Sequence, residues 1–136
     1  MLINKLNADI INSGSVSLHD AIFHNLNFNF WEKKLTLQFE IESDTNLYVQ
    51  FNFLETIGFN MTSCDFWGRS PHVLDFEYIE SEKYNLLSNL TERKNKSPHH
   101  PLCVLNSDKK FWECLFTFSS GDTLRIVCST LQIEQS

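Results

Sequence analysis

The chain holds 136 residues, of which 42% are hydrophobic and 13% aromatic, and it carries a formal net charge of −6. That length suits a single domain over residues 1–136 with one core, and the apolar fraction excludes wholesale disorder. The acid excess, with a pI near 5.2, sets aside nucleic acid as a partner, because a basic face is needed to replace the counterions of a phosphate backbone.

Twelve phenylalanines against four glycines favour sheet, since aromatic side chains fit a pleated surface. No apolar run approaches the ~20 residues of a membrane helix. The stretch from Met1 to Asp9 lacks a charged start, an apolar block and a small-residue cleavage site, so a cytoplasmic protein without membrane association is expected. Cys64, Cys103, Cys114 and Cys128 form no C-x-x-C pair. In that compartment they are expected to be reduced, with Cys114 and Cys128 as small core residues.

Along the chain, Leu2, Ile3, Leu6, Ile10 and Ile11 recur at helical spacing, and Ser13-Gly14-Ser15 ends the pattern. This predicts a short amphipathic helix over 2–12. Next, Ile22, His24, Leu26, Phe28 and Phe30 share one parity, against Asn25, Asn27 and Asn29. That alternation predicts a half-buried strand, turned by Glu32-Lys33-Lys34. Leu35, Leu37, Phe39 and Ile41 then alternate with Thr36, Gln38, Glu40 and Glu42, the clearest strand of all. After a turn cluster at Ser43 to Asn46, Leu47, Val49, Phe51 and Phe53 mark a third. Short turns between these runs imply antiparallel neighbours. Ile57, Phe59 and Met61 indicate a weaker strand.

At the middle stands Asp65-Phe66-Trp67-Gly68-Arg69-Ser70-Pro71. Gly68 tolerates positive φ, and Pro71 biases Ser70 towards extended backbone, so a sharp bend that plants an aromatic anchor is expected. Beyond it, Leu74, Phe76 and Tyr78 share one parity, against Asp75 and Glu77. Ser81 to Leu90 reads as a short helix with Tyr84, Leu87 and Leu90 on one side, or as an irregular strand. Residues 91–110, polar and basic and punctuated by Pro98 and Pro101, read as a long loop. Trp112, Cys114, Phe116 and Phe118 then predict a strand. Ser119-Ser120-Gly121-Asp122 predicts its hairpin turn, and Leu124, Ile126 and Cys128 a return strand running on towards Leu131 and Ile133. The sum is an α+β fold, mainly antiparallel β: about seven strands in a sandwich or half-open barrel, with a short N-terminal helix.

Little here carries chemistry. His99-His100-x-x-Cys103 is the one local cluster of metal donors, but zinc needs three or four ligands, and His72 or Cys64 would have to be brought to it. His19-Asp20 are sequence neighbours that face opposite ways on a strand, and they read as a strand-entry turn. No Gly-rich phosphate loop, G-x-S-x-G or H-E-x-x-H motif is present. No catalytic residue, metal or cofactor is therefore expected. Asp75, Glu77, Glu80 and Glu82 form the densest acidic run, suited to attracting a basic partner, and Glu40 and Glu42 are candidates to extend it. Trp67 and Arg69 are of the residue types favoured as interface anchors.

Leu18-His19-Asp20-Ala21-Ile22, Trp67-Gly68-Arg69-Ser70-Pro71 and Ser120-Gly121-Asp122-Thr123-Leu124 together resemble a diffuse group of small β-rich bacterial proteins. That group has an LHD-x-x-I start, a WG-x-S centre and a closing SGD-x-L-x-I hairpin. Several of its members look like immunity proteins, including those paired with toxins of contact-dependent growth inhibition systems. Many have a proline soon after the WG pair, whereas here Arg69 follows Gly68 and Pro71 comes later. The resemblance spans about residues 18–130 and implies no active-site residues. It implies a protein that neutralises a cognate toxin, often a basic nuclease. The candidate contacts, Asp75, Glu77, Glu80, Glu82, Trp67 and Arg69, follow from the acidic run and the anchor residue types instead. Two other readings remain: a small ligand- or metal-binding β-barrel or enzyme with His19, Asp20 or the His99–His100 loop at its mouth, and a dimeric module that pairs exposed sheet edges.

Overall fold

The computed structural model describes residues 1–4, 7–8, 11, 18–42, 47–62, 72–79, 85–96 and 110–135. Among them are nine strands and one helix. The strands are β1 (Leu2–Ile3), β2 (Ile22–Asn29), β3 (Lys34–Ile41), β4 (Leu47–Leu54), β5 (Gly58–Met61), β6 (Val73–Ile79), β7 (Trp112–Phe118), β8 (Thr123–Cys128) and β9 (Thr130–Gln135). The helix, α1, is Asn85–Lys96. The first sheet has the order β1-β9-β4-β3-β2 and the second β5-β8-β7-β6. Every pairing within them is antiparallel.

The core lies between the two sheets, where the apolar parity of each strand meets that of the other. Leu35, Leu37 and Phe39 of β3, Phe51 and Phe53 of β4, and Leu131 of β9 are fully buried against Cys114, Phe116 and Phe118 of β7 and Leu124, Ile126 and Cys128 of β8. Phe116 is the hub. Its ring lies 4.9 Å from that of Phe76, 5.7 Å from Phe39, 5.9 Å from Phe51 and 6.2 Å from Phe53. Aromatic contacts at such separations add to the area that the rings bury.

The sheets join at their corners. Ile22 at the start of β2 bridges His72 beside β6, while Phe28 near the end of β2 reaches Phe59 of β5, with ring centroids 5.1 Å apart. As β6 and β5 are opposite edges of the second sheet, β2 runs across that sheet rather than along it, as in orthogonal packing. At another corner the chain leaves β8 at Cys128 and enters β9 at Thr130. Ser129 alone spans the gap and donates its N–H to the Leu54 carbonyl at 3.2 Å.

The outer face of the second sheet is partly covered by α1, where Leu87 and Leu90 pack on Val127. The helix has no acidic residue in its first turn. Glu113, fully buried on β7, supplies the missing charge: its Oε1 accepts the N–H groups of Leu86 and Leu87, both at 3.0 Å. Its Oε2 pairs with Arg125 Nη1 at 2.8 Å. A carboxylate at a helix N-terminus satisfies orphan donors and complements the helix dipole.

Several expectations are corrected. Leu2–Ile3, predicted to be helical, forms a strand on β9; Ile11 is helical, and residues 5–6, 9–10 and 12 of that prediction lie outside the described residues. β2 and β6 each carry a bulge, between Phe23 and Asn25 and between Val73 and Asp75. One extra residue inverts the parity before it. Phe23 therefore enters the core, with its ring 5.5 Å from Phe39 and 5.4 Å from Phe118, while His24 faces outwards. Likewise Val73 is buried and Leu74 exposed. The helix also runs on through Thr91–Lys96, where a loop was predicted. The hairpin turn is as expected: Gly121 has a φ of 89° and the Phe118 N–H reaches the Asp122 carbonyl at 2.9 Å. So is the pairing of β7 with β8.

Candidate functional site

The β2–β3 turn carries the most exposed apolar side chains described. Trp31 is 96% exposed and Phe30 71%. The backbone beneath them is braced. Asn29 ends β2, and its Oδ1 accepts the N–H groups of Trp31 and Glu32, both at 3.0 Å. Lys33 takes a left-handed φ of 53°, and its carbonyl accepts the Thr56 N–H from the β4–β5 turn at 2.7 Å. Short Asn side chains favour such local turns. Phe30 stands edge-on to Phe28 at 4.7 Å, and Phe28 in turn meets Phe59. A row of aromatic rings thus leads from the core rim to a tip that holds Trp31 in solvent. Sequence parity placed Phe30 on the inner face and gave Trp31 no role. The signal available was Asn29 itself, a turn-former standing ahead of the expected turn.

The acidic candidates divide. Asp75 and Glu77 are exposed on the outer face of β6, opposite Thr117 and Leu115 of β7. They share a face, as the sequence implied, in the part of the second sheet away from the Val127 cluster that α1 covers. Glu80, Glu82, Trp67 and Arg69 lie outside the described residues. Glu40 does not extend the patch. It is on the outer face of the first sheet, where its Oε2 meets His24 Nε2 at 2.8 Å.

The other candidates are as follows. His19 Nδ1 is 3.1 Å from the Leu74 carbonyl, and its Nε2 is 3.6 Å from Asp20 Oδ2, with both side chains well exposed. The Asp20 N–H bonds the Val73 carbonyl at 2.8 Å with φ at 65°, a turn at the entry to β2. His99, His100, Cys103 and Cys64 lie outside the described residues, among which no group of three or more His, Cys, Asp or Glu is placed to hold a metal. Cys114 and Cys128 are buried free thiols, as expected. Burial, and then the neighbouring Cys128 thiol, push the Cys114 thiol well above its ordinary range. No helix among the described residues is long and apolar enough to cross a membrane. No protein-family model matches the chain, and no curated protein matches it significantly.

Proposed function

We propose that the protein is an immunity-type binding protein that docks a cognate bacterial toxin in the cytoplasm, with the Phe30–Trp31 tip as its anchor. The observation that supports this reading most is Trp31, held almost wholly in water by a turn whose backbone is fixed on both sides. Leaving a large apolar side chain exposed forgoes ~1.5–3 kcal/mol of burial. A partner that covers it recovers that energy, and tryptophan is the residue type most often found to dominate an interface. Because the turn is already ordered, docking loses little conformational freedom. Asp75 and Glu77 stand on the far edge of the second sheet from Phe59. In this reading they attract a basic toxin at long range and do not share one contact with the tip.

The sheet-edge dimer is less well supported. β2 and β6, the long edge strands, both carry bulges, a feature that discourages flat edge-to-edge pairing.

The test is capture from the source strain by wild-type protein and by Trp31→Ala. The expected partner is one basic protein, bound about 30-fold or more weakly by the variant. Expressed alone in a bacterial host it should stop growth, and co-expression of the wild-type protein should restore it. A captured protein that is harmless, or that Trp31→Ala binds equally well, overturns the proposal. So does Trp31-dependent sedimentation with anionic vesicles, which would make the tip a membrane anchor.

A further inference from the structure

On the opposite end of β3 from the aromatic tip, the outer face of the first sheet holds a depression of about 450 Å³. Residues lining it include His24, Gln38, Tyr48, Gln50, Glu134 and Gln135. That volume falls within the ~300–1,000 Å³ typical of small-molecule sites. The register explains why five of them meet. Gln38 is opposite Gln50, Gln50 is opposite Glu134, and Glu40, opposite Tyr48, brings in the bulged His24.

One wall is aromatic. Tyr48 is 52% exposed, and its ring centroid is 6.2 Å from that of His24. The floor is a run of carboxamides. Asn25 donates to Gln38 at 3.4 Å, Gln38 to Gln50 at 3.4 Å, and Gln50 to Asn52 at 2.9 Å. Two of these three bonds are longer than the ~2.9–3.0 Å that amides prefer. Each amide has two N–H groups and two lone pairs, and these bonds use one donor and one acceptor of Gln38 and of Gln50. The depression therefore offers alternating donors and acceptors in bonds that are readily exchanged.

Its charge narrows the ligand. Among the described residues no Lys or Arg lines it, the Glu40 carboxylate beside it is engaged by His24 at 2.8 Å, and Glu134 is the single lining carboxylate. A phosphorylated or acidic ligand is disfavoured. The Gln38 and Gln50 carboxamides are neutral, planar and amphoteric, and they stand beside the flat ring of Tyr48. They match a molecule with vicinal hydroxyls on one edge and an apolar C–H face on the other.

We propose that this depression binds a neutral oligosaccharide, with a sugar ring laid on Tyr48 and its hydroxyls on Gln38, Gln50 and Glu134. The site is independent of the toxin reading, whose residues lie elsewhere.

The experiment is titration of isotopically labelled full-length protein with maltose, cellobiose and N,N′-diacetylchitobiose, followed by amide chemical shifts. Saturable shifts of the Gln38 and Gln50 side-chain amides are expected with at least one of the three. Tyr48→Ala should weaken that binding about tenfold. Tyr48→Phe should retain most of it, and shifts remote from the site should show both variants folded. Absence of saturation with all three sugars overturns the proposal. Saturation of the same amides by tetralysine but by no sugar also overturns it, and would reassign the depression to a cationic peptide held by Glu134.

Discussion

At the residue scale, two side chains behave in opposite ways for the same reason: where the backbone places them relative to water. Trp31 contributes little to the fold, because almost none of it is buried. Trp31→Ala should therefore leave the unfolding free energy measured in urea within ~0.5 kcal/mol of wild type while removing most of the partner affinity. This split separates an interface residue from a structural one. Cys114 is the converse. Its thiol is fully buried and raised well above the ordinary range, by burial first and then by Cys128. The native thiol should resist alkylation at neutral pH and react once the protein unfolds. A thiol whose folded pKa is raised keeps its proton when the unfolded chain has lost it. Stability is therefore unaffected below the ordinary thiol range and falls as pH rises through it. Urea midpoints measured from neutral to alkaline pH should decline more steeply for wild type than for Cys114→Ala.

At the element scale, α1 depends on a side chain from another element. Glu113 on β7 caps its first turn and pairs with Arg125. Glu113→Ala strands a partly buried guanidinium and two helix N–H groups, and should cost about 3 kcal/mol. Hydrogen exchange should then quicken in α1 before it does in β7 and β8. This dependence also explains what was legible in the sequence. β3, β4, β7 and β8 could be read because unbroken alternation reports a face directly, and Cys114 and Cys128 were placed correctly for that reason. Leu2 and Ile3 were misread because they are set by pairing with β9, a contact from far along the chain that local spacing cannot carry. The bulges at His24 and Leu74 hid which neighbour turns inwards, since one added residue inverts the parity. Thr91–Lys96 reads as a loop because its polarity conceals a helix anchored mainly through Leu87, Leu90 and the Glu113 carboxylate. Of the site, the shared face of Asp75 and Glu77 was legible. The exposed tip was not, because Phe30 and Trp31 are strand-forming types that a turn fixed by Asn29 holds outside the sheet.

At the scale of the whole molecule, charge and connectivity dominate. Asp75 and Glu77 belong to a chain of net charge −6, so their field adds to that of the rest of the surface. Reversing both to Lys should slow association with a basic partner and flatten its dependence on salt, with the dissociation rate changed much less. Stopped-flow binding across a range of ionic strength reads both quantities. Connectivity makes folding non-local: β9 pairs with β4 and with β1, so residues near the two ends of the chain are neighbours in one sheet. Such topologies fold in ~milliseconds to seconds, slower than helical domains of equal size.

The position of β9 also sets a clock on the protein. Thr130–Gln135 lies between β4 and β1 in the first sheet, so a nascent chain that has not yet delivered this segment cannot close its core, however much of the rest has emerged from the ribosome. Its surfaces come into being together, once Gln135 has been added, and a chain that lacks β9 presents none of them in finished form.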